Sequence, residues 1–128
     1  YDEDGDDQLK IGGAVTAFTN AVVGKTDTDT SNSGSVTLDF DANQNFVLTL
    51  TGAVTLANPT TEKVGQSGFI VFIQDGTGSR AVTLGTDYET AGGSGLTLTA
   101  TASATDIVPY VVAASNRILL GTPQLAFS

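Results

Sequence analysis

The chain has 128 residues, fourteen acids against five basic side chains, and no Cys, His, Met or Trp. That length suits one domain able to bury a core without staples. The net charge of −9, with Lys10, Lys25, Lys63, Arg80 and Arg117 scattered, excludes nucleic acid and anionic membrane surfaces as partners, because both need clustered cations. No apolar run approaches the ~18 residues that cross a bilayer. Without His or Cys there is no Ser-His-Asp or Cys-His nucleophile and no good zinc ligand set, and no cofactor is implied. A first residue of Tyr, with no signal peptide, implies a processed product or an excised piece of something longer.

Tyr1 to Asp7 holds five of the fourteen acids and reads as a solvated arm. Asp2, Asp4 and Asp6 are weak calcium candidates: Gly5 precedes the third acid and no Glu follows at the calcium-loop distance. Leu9 and Ile11 around Lys10 predict a short strand, Ala14 to Gly24 a strand or irregular packing, and Lys25 to Ser35 a polar loop or linker. Residues 1–33 are thus expected to form an acidic arm, a short strand and a linker used for attachment or assembly, and residues 34–128 the folded domain.

From Val36 to Leu56 nearly every second residue is apolar, which predicts strands with one dry and one wet face. Val36, Leu38 and Phe40 form one such run and Phe46, Leu48 and Leu50 the next, with turn formers between them. Asp39 and Asp41 fall on the polar face. Thr51-Gly52-Ala53 predicts a bend, and Asn58-Pro59-Thr60-Thr61 a turn. Phe69 to Ile73 is apolar throughout, so both faces of that strand are expected to be covered. Asp75-Gly76-Thr77-Gly78 predicts a hairpin turn, with Val82 and Leu84 inward after it.

Tyr88 lies in a Gly-rich loop, and Leu96 and Leu98 alternate with threonines. Ile107 to Ala113 predicts a strong strand, with Pro109 marking an edge or a bulge. Ala114-Ser115-Asn116 is a tight turn into Arg117 to Leu120, and Leu125 with Phe127 closes the chain as a last short strand. The sum is an all-β domain, an antiparallel β-sandwich or jelly-roll-like barrel of about eight to ten short strands.

Several motifs together resemble a C-terminal β-rich domain of tailed-phage virion proteins, marine phages above all, of the structural or tail-fibre-like kind. They are Asn45-Phe46-Val47-Leu48-Thr49-Leu50-Thr51-Gly52, Leu56-Ala57-Asn58-Pro59-Thr60, Gly65-Gln66-Ser67-Gly68, Gln74 to Arg80, and Ser115 to Leu119. The resemblance spans roughly Gly34 to Phe127 and brings no catalytic residues. It implies a non-enzymatic virion surface module of a tail fibre, spike or head decoration, serving assembly and host attachment. The expected partners are further copies of itself in a homotrimer, other virion proteins and a host-surface glycan.

Pro109, Leu119, Leu120, Leu125 and Phe127 are the assembly candidates, and Tyr88 and Tyr110 the sugar-stacking candidates. Three alternatives stand beside this reading. One is a carbohydrate-binding module. Another is a polysaccharide hydrolase using Asp39, Asp41, Asp87 or Glu89. The third is an extracellular filament subunit in which the segment from Leu9 to Val23 adds a strand to a neighbour.

Overall fold

Eight strands form one curled, mixed sheet in the computed structural model, which describes residues 19–128. They are β1 (Thr26–Thr37), β2 (Asn45–Ala57), β3 (Ser67–Gln74), β4 (Val82–Leu84), β5 (Tyr88–Glu89), β6 (Thr105–Ala114), β7 (Arg117–Leu120) and β8 (Gln124–Phe127). The order is β1-β2-β3-β6-β7-β5, with β4 beside β2 and β8 beside β6. About half of the described residues are in strands and the one helical element is a 3-10 turn at Ala91–Gly93, so the all-β expectation holds. The arm, the Leu9–Ile11 strand and Asp2, Asp4 and Asp6 lie outside the described residues.

Strand direction departs from the antiparallel expectation. β1 and β2 are parallel, as are β2 with β3, β2 with β4, and β5 with β7. Only β3–β6, β6–β7 and β6–β8 are antiparallel. Side-chain alternation reports which face a residue occupies, and it carries no information on direction.

Chain reach explains the curl. A straight strand as long as β1 would cover roughly 36 Å. The link Leu38 to Gln44 then has to return to the start of β2, yet it spans at most about 28 Å. The strands therefore bend, and β1 shows register shifts between Asp29 and Asn32 and between Asn32 and Gly34. Opposite this bend β2 changes partner from β3 to β4 at Gly52, where a Cβ would stand 2.9 Å from that of Ser33. The concave side is closed by the links. Leu38 and Phe40, expected on a strand, instead deliver buried side chains from the first link, and Phe40 packs edge-on against Phe46 and Tyr110 at 5.0 and 5.3 Å. Leu96 and Leu98, also expected on a strand, are irregular and pack onto the same core. Loops thus occupy the layer where a sandwich would place its second sheet.

The segment read as a linker is β1. Its composition misled because this strand is an edge: Thr26 to Ser31 are exposed on both faces. Asp27 and Asp29 pair in register with Phe46 and Leu48, so they stand on the core side of the edge. Inward-facing charge on an edge strand opposes pairing with another chain. Asn32, 2% exposed, satisfies the bend by donating from Nδ2 to the carbonyls of Asp29 and Thr49, both at 3.1 Å.

Two further expectations change. The Asp75 loop is not a hairpin, because β4 continues along β2 rather than returning on β3. Asp75 Oδ1 accepts from the N–H groups of Thr77 and Gly78, and Gln74 pairs with the backbone of Arg80 through both its amide atoms. Pro109 is at neither an edge nor a bulge. Its carbonyl accepts from Gly121 N, so its missing donor faces the break between β7 and β8 and leaves the β3 ladder intact.

Candidate functional site

Register divides the sheet into two surfaces, since cross-strand neighbours share a face. The inner face carries Phe46, Leu48, Leu50, Val54, Leu56, Ile70, Phe72, Val108, Tyr110, Val112 and Ile118, all buried. Full burial of each such side chain contributes about 1.5–3 kcal/mol. The outer face follows the alternate residues. Val47 pairs with Val71 and Val71 with Ile107; Phe69 pairs with Pro109; Ile73 pairs with Thr105; Val111 pairs with Leu119.

This outer face is not the polar surface that a solvent-facing sheet usually shows. Phe69 is 52% exposed and Val111 40%, while Val71, Ile73, Ile107, Pro109 and Leu119 are half-buried. The uncovered β3 corrects the expectation that both its faces are buried. None of the outward residues of β3 or β6, nor of β2 from Asn45 to Thr51, is charged. Charge begins at the margin, where Arg117 holds Glu89 at 2.8 Å and lowers its carboxyl below the ordinary value. A shallow trough of about 280 Å³ runs along Pro109, Val111, Leu119 and Leu120 to Gly121. A Cβ on Gly121 would stand 2.6 Å from the Pro109 ring, so glycine lets the two segments approach here.

The assembly candidates separate accordingly. Pro109 and Leu119 lie on the outer face, Leu125 and Phe127 are exposed on β8, and Phe127 pairs across from Thr105. Leu120, 7% exposed and opposite Tyr110, is a core residue. Phe69, Val71 and Val111 join this face without having been singled out in the sequence, although the uninterrupted run Phe69 to Ile73 signals the first two and the apolar stretch from Ile107 the third.

The tyrosines are not a stacking platform. Tyr88 and Tyr110 are 5% and 3% exposed, so neither ring offers a face to a sugar. Tyr110 Oη donates to the Gln44 carbonyl at 2.6 Å. Tyr88 Oη has no hydrogen-bond partner, and burial, followed by the charges of Asp87 and Glu62, pushes its pKa up.

The acids serve as structural acceptors. Asp39 Oδ1 caps the turn at Asp41 and Ala42, and Asp41 meets Lys63 at 3.1 Å in solvent. Asp87 accepts from Asn116 Nδ2, and Glu62 accepts from Asn116 N, which together hold the left-handed Asn116 at the β6–β7 turn. Asp106, 2% exposed, accepts from Thr99 and from Ala126 N. The Arg80 guanidinium and two backbone N–H groups hold the Asp75 carboxyl at about 2. Among the described residues, no three acids converge as a metal site.

Elsewhere on the described surface lie two larger open basins and a smaller hollow of about 250 Å³ around Arg80, Val82, Leu96 and Leu98. One, of about 550 Å³, is lined by Lys25, Asp41, Asn43, Gln44, Lys63 and Gln66 among others. The second, of about 600 Å³, lies between Val82 to Thr86 and the Gly93 to Leu96 loop.

A curled sheet with a closed inner core and an apolar outer surface is a scaffold that presents faces and loops. Residues 36–114 match the family model described as "Putative phage tail fibre C-terminal domain". That is more than half of the chain, which therefore belongs to this phage tail-fibre C-terminal domain family. No curated protein and no solved structure matches the chain.

Proposed function

We propose that this domain is a non-enzymatic structural module on the outside of a phage tail fibre, joined to other virion proteins and carrying loops toward the host surface. Membership of the tail-fibre family over residues 36–114 is the observation that supports it most. The placement of the acids agrees: each of Asp39, Asp75, Asp87 and Asp106 accepts hydrogen bonds that shape a turn or tie a loop, which is work for a scaffold. Among the described residues, no helix is long and apolar enough to cross a membrane.

Host contact, in this reading, falls to the polar basin around Lys25, Asn43, Gln44 and Lys63, whose amides and ammonium groups suit hydroxyl-rich ligands. Gold-labelled antibody on purified particles, with mass spectrometry of the same preparation, tests the proposal. Label along or at the end of the tail fibre is expected. Particles that lack the protein, or label confined to the head, would overturn it.

A further inference from the structure

We propose that the basin around Lys25 and Lys63 binds an anionic sugar residue, one whose hydroxyls surround a carboxylate or sulfate group. The inference deepens the host-contact reading above and rests on it.

Charge singles out this basin. The chain carries a net charge of −9 and has five basic residues. Lys10 lies outside the described residues. Arg80 and Arg117 are clasped by Asp75 and Glu89 at 2.9 and 2.8 Å. The other two, Lys25 and Lys63, are far apart in the sequence yet line one basin of about 550 Å³. Asp41 is the single acid among its lining residues, so two ammonium groups against one carboxylate leave a local charge of +1. The second basin has Glu89 as its one charged lining residue, and in the hollow at Arg80 the guanidinium is already paired. An anion is repelled from the one and meets no free cation in the other.

Both lysines are available. Lys63 meets Asp41 at 3.1 Å, but both side chains stand mostly in solvent, where an ion pair is weak enough to be exchanged for a ligand. Lys25 enters no ion pair among the described residues. Screening decides which charges the ligand feels. The Debye length is about 8 Å at physiological ionic strength, so remote acids are masked from an anion held against the ammonium groups.

The walls are fixed before a ligand arrives. Lys25 O accepts from Gln44 N and Asn45 N at 2.7 and 3.1 Å, which ties the entry to β1 against the start of β2. Gln66 Nε2 donates to the carbonyls of Phe40 and Asn43 at 3.1 and 2.9 Å, and Tyr110 Oη donates to that of Gln44. Glycine permits the close approach: a Cβ on Gly24 would stand 2.9 Å from Gln44 Cγ. A preorganised site loses less on binding. The volume suits a small ligand, and Asn43 and Ser67 supply polar side chains to sugar hydroxyls.

Titration of the isotope-labelled full chain with trigalacturonate, sulfated maltotriose and maltotriose itself, followed by amide chemical shifts, tests the proposal. Shifts at Gln44, Gly65 and Gln66 are expected with at least one charged sugar, and the responding sugar tells carboxylate from sulfate. Maltotriose should bind at least about tenfold more weakly. Lys25→Gln and Lys63→Gln should each weaken the charged sugar by about tenfold, the worth of one charge-assisted bond. Asp41→Asn releases Lys63 and should tighten binding by about threefold. Glu89→Gln, which makes the same charge change and releases Arg117 away from the basin, should leave it unaltered. No shift with either charged sugar, equal affinity for maltotriose, or unchanged affinity in either lysine variant would overturn the proposal. A chain that sits on the fibre without binding a charged sugar sinks this site alone. A chain that binds one but is missing from particles sinks the fibre reading alone.

Discussion

Asp106→Asn is the sharpest test of how the loop layer is fastened to the sheet. The carboxylate is 2% exposed and takes three hydrogen bonds: Thr99 N at 2.6 Å on Oδ2, and Thr99 Oγ1 and Ala126 N, both at 2.8 Å, on Oδ1. It thereby ties the irregular segment after Leu98 to β6, and holds the left-handed Ala126 (φ 61°) in β8. An amide cannot replace it. Whichever way the amide lies, its NH₂ faces either Thr99 N or Ala126 N, and two donors then oppose each other. One charge-assisted bond is lost, worth about 1.5–3 kcal/mol, and a nearby backbone N–H is left without its acceptor at about 1–3 kcal/mol. We expect a loss of about 3 kcal/mol, and about 4 kcal/mol for Asp106→Ala, which removes all three bonds. For a domain of this size that lowers Tm by roughly 10–15 °C, read by circular dichroism. A shift below about 2 °C would refute the reasoning and imply that the three donors find other partners.

Three further outcomes follow from the same geometry. Gly121→Ala should cost about 1–3 kcal/mol in urea unfolding, since its Cβ would meet the Pro109 ring at 2.6 Å; adding Pro109→Ala should return part of that loss, and strict additivity would contradict the clash. Tyr110→Phe should lose about 1 kcal/mol with the bond to the Gln44 carbonyl, whereas Tyr88→Phe, which removes a buried hydroxyl without a partner, should hold or raise Tm; equal losses at both sites would contradict this. Asp75 has a folded pKa depressed to about 2, so its contribution is fully present above the ordinary carboxylate value of about 3.9 and disappears as pH falls through 2. Asp75→Asn should therefore flatten the pH dependence of Tm between about pH 4 and 2, and an unchanged slope would count against the Arg80 clasp.

The inner face is legible in the sequence. Phe46, Leu48, Leu50, Val54 and Leu56 alternate in the sequence and are buried in the fold. Strand direction was not, because a residue's face says nothing of its neighbour's polarity. Leu38 and Phe40 kept the two-residue rhythm yet belong to a link, since apolar residues in a link that crosses the concave side are selected by the same core. β1 was hidden by its polarity, which suits an edge strand wet on both faces. The apolar run Phe69 to Ile73 was visible, but core-facing and outward apolar residues have one signature in sequence, and the sheet order was needed to separate them. Tyr88 and Tyr110 read as ligand contacts because the residues packed beside them, Phe40 and Leu120 beside Tyr110 and Ile118 beside Tyr88, are distant in the sequence and meet them only in the fold.

Hydroxyl-radical footprinting of the folded protein tests the two-faced sheet most directly. Phe69 and Val64, 52% and 67% exposed, should label readily, while Phe46 and Phe72 on the inner face should be protected. Phe69 protected as fully as Phe46 would contradict the account.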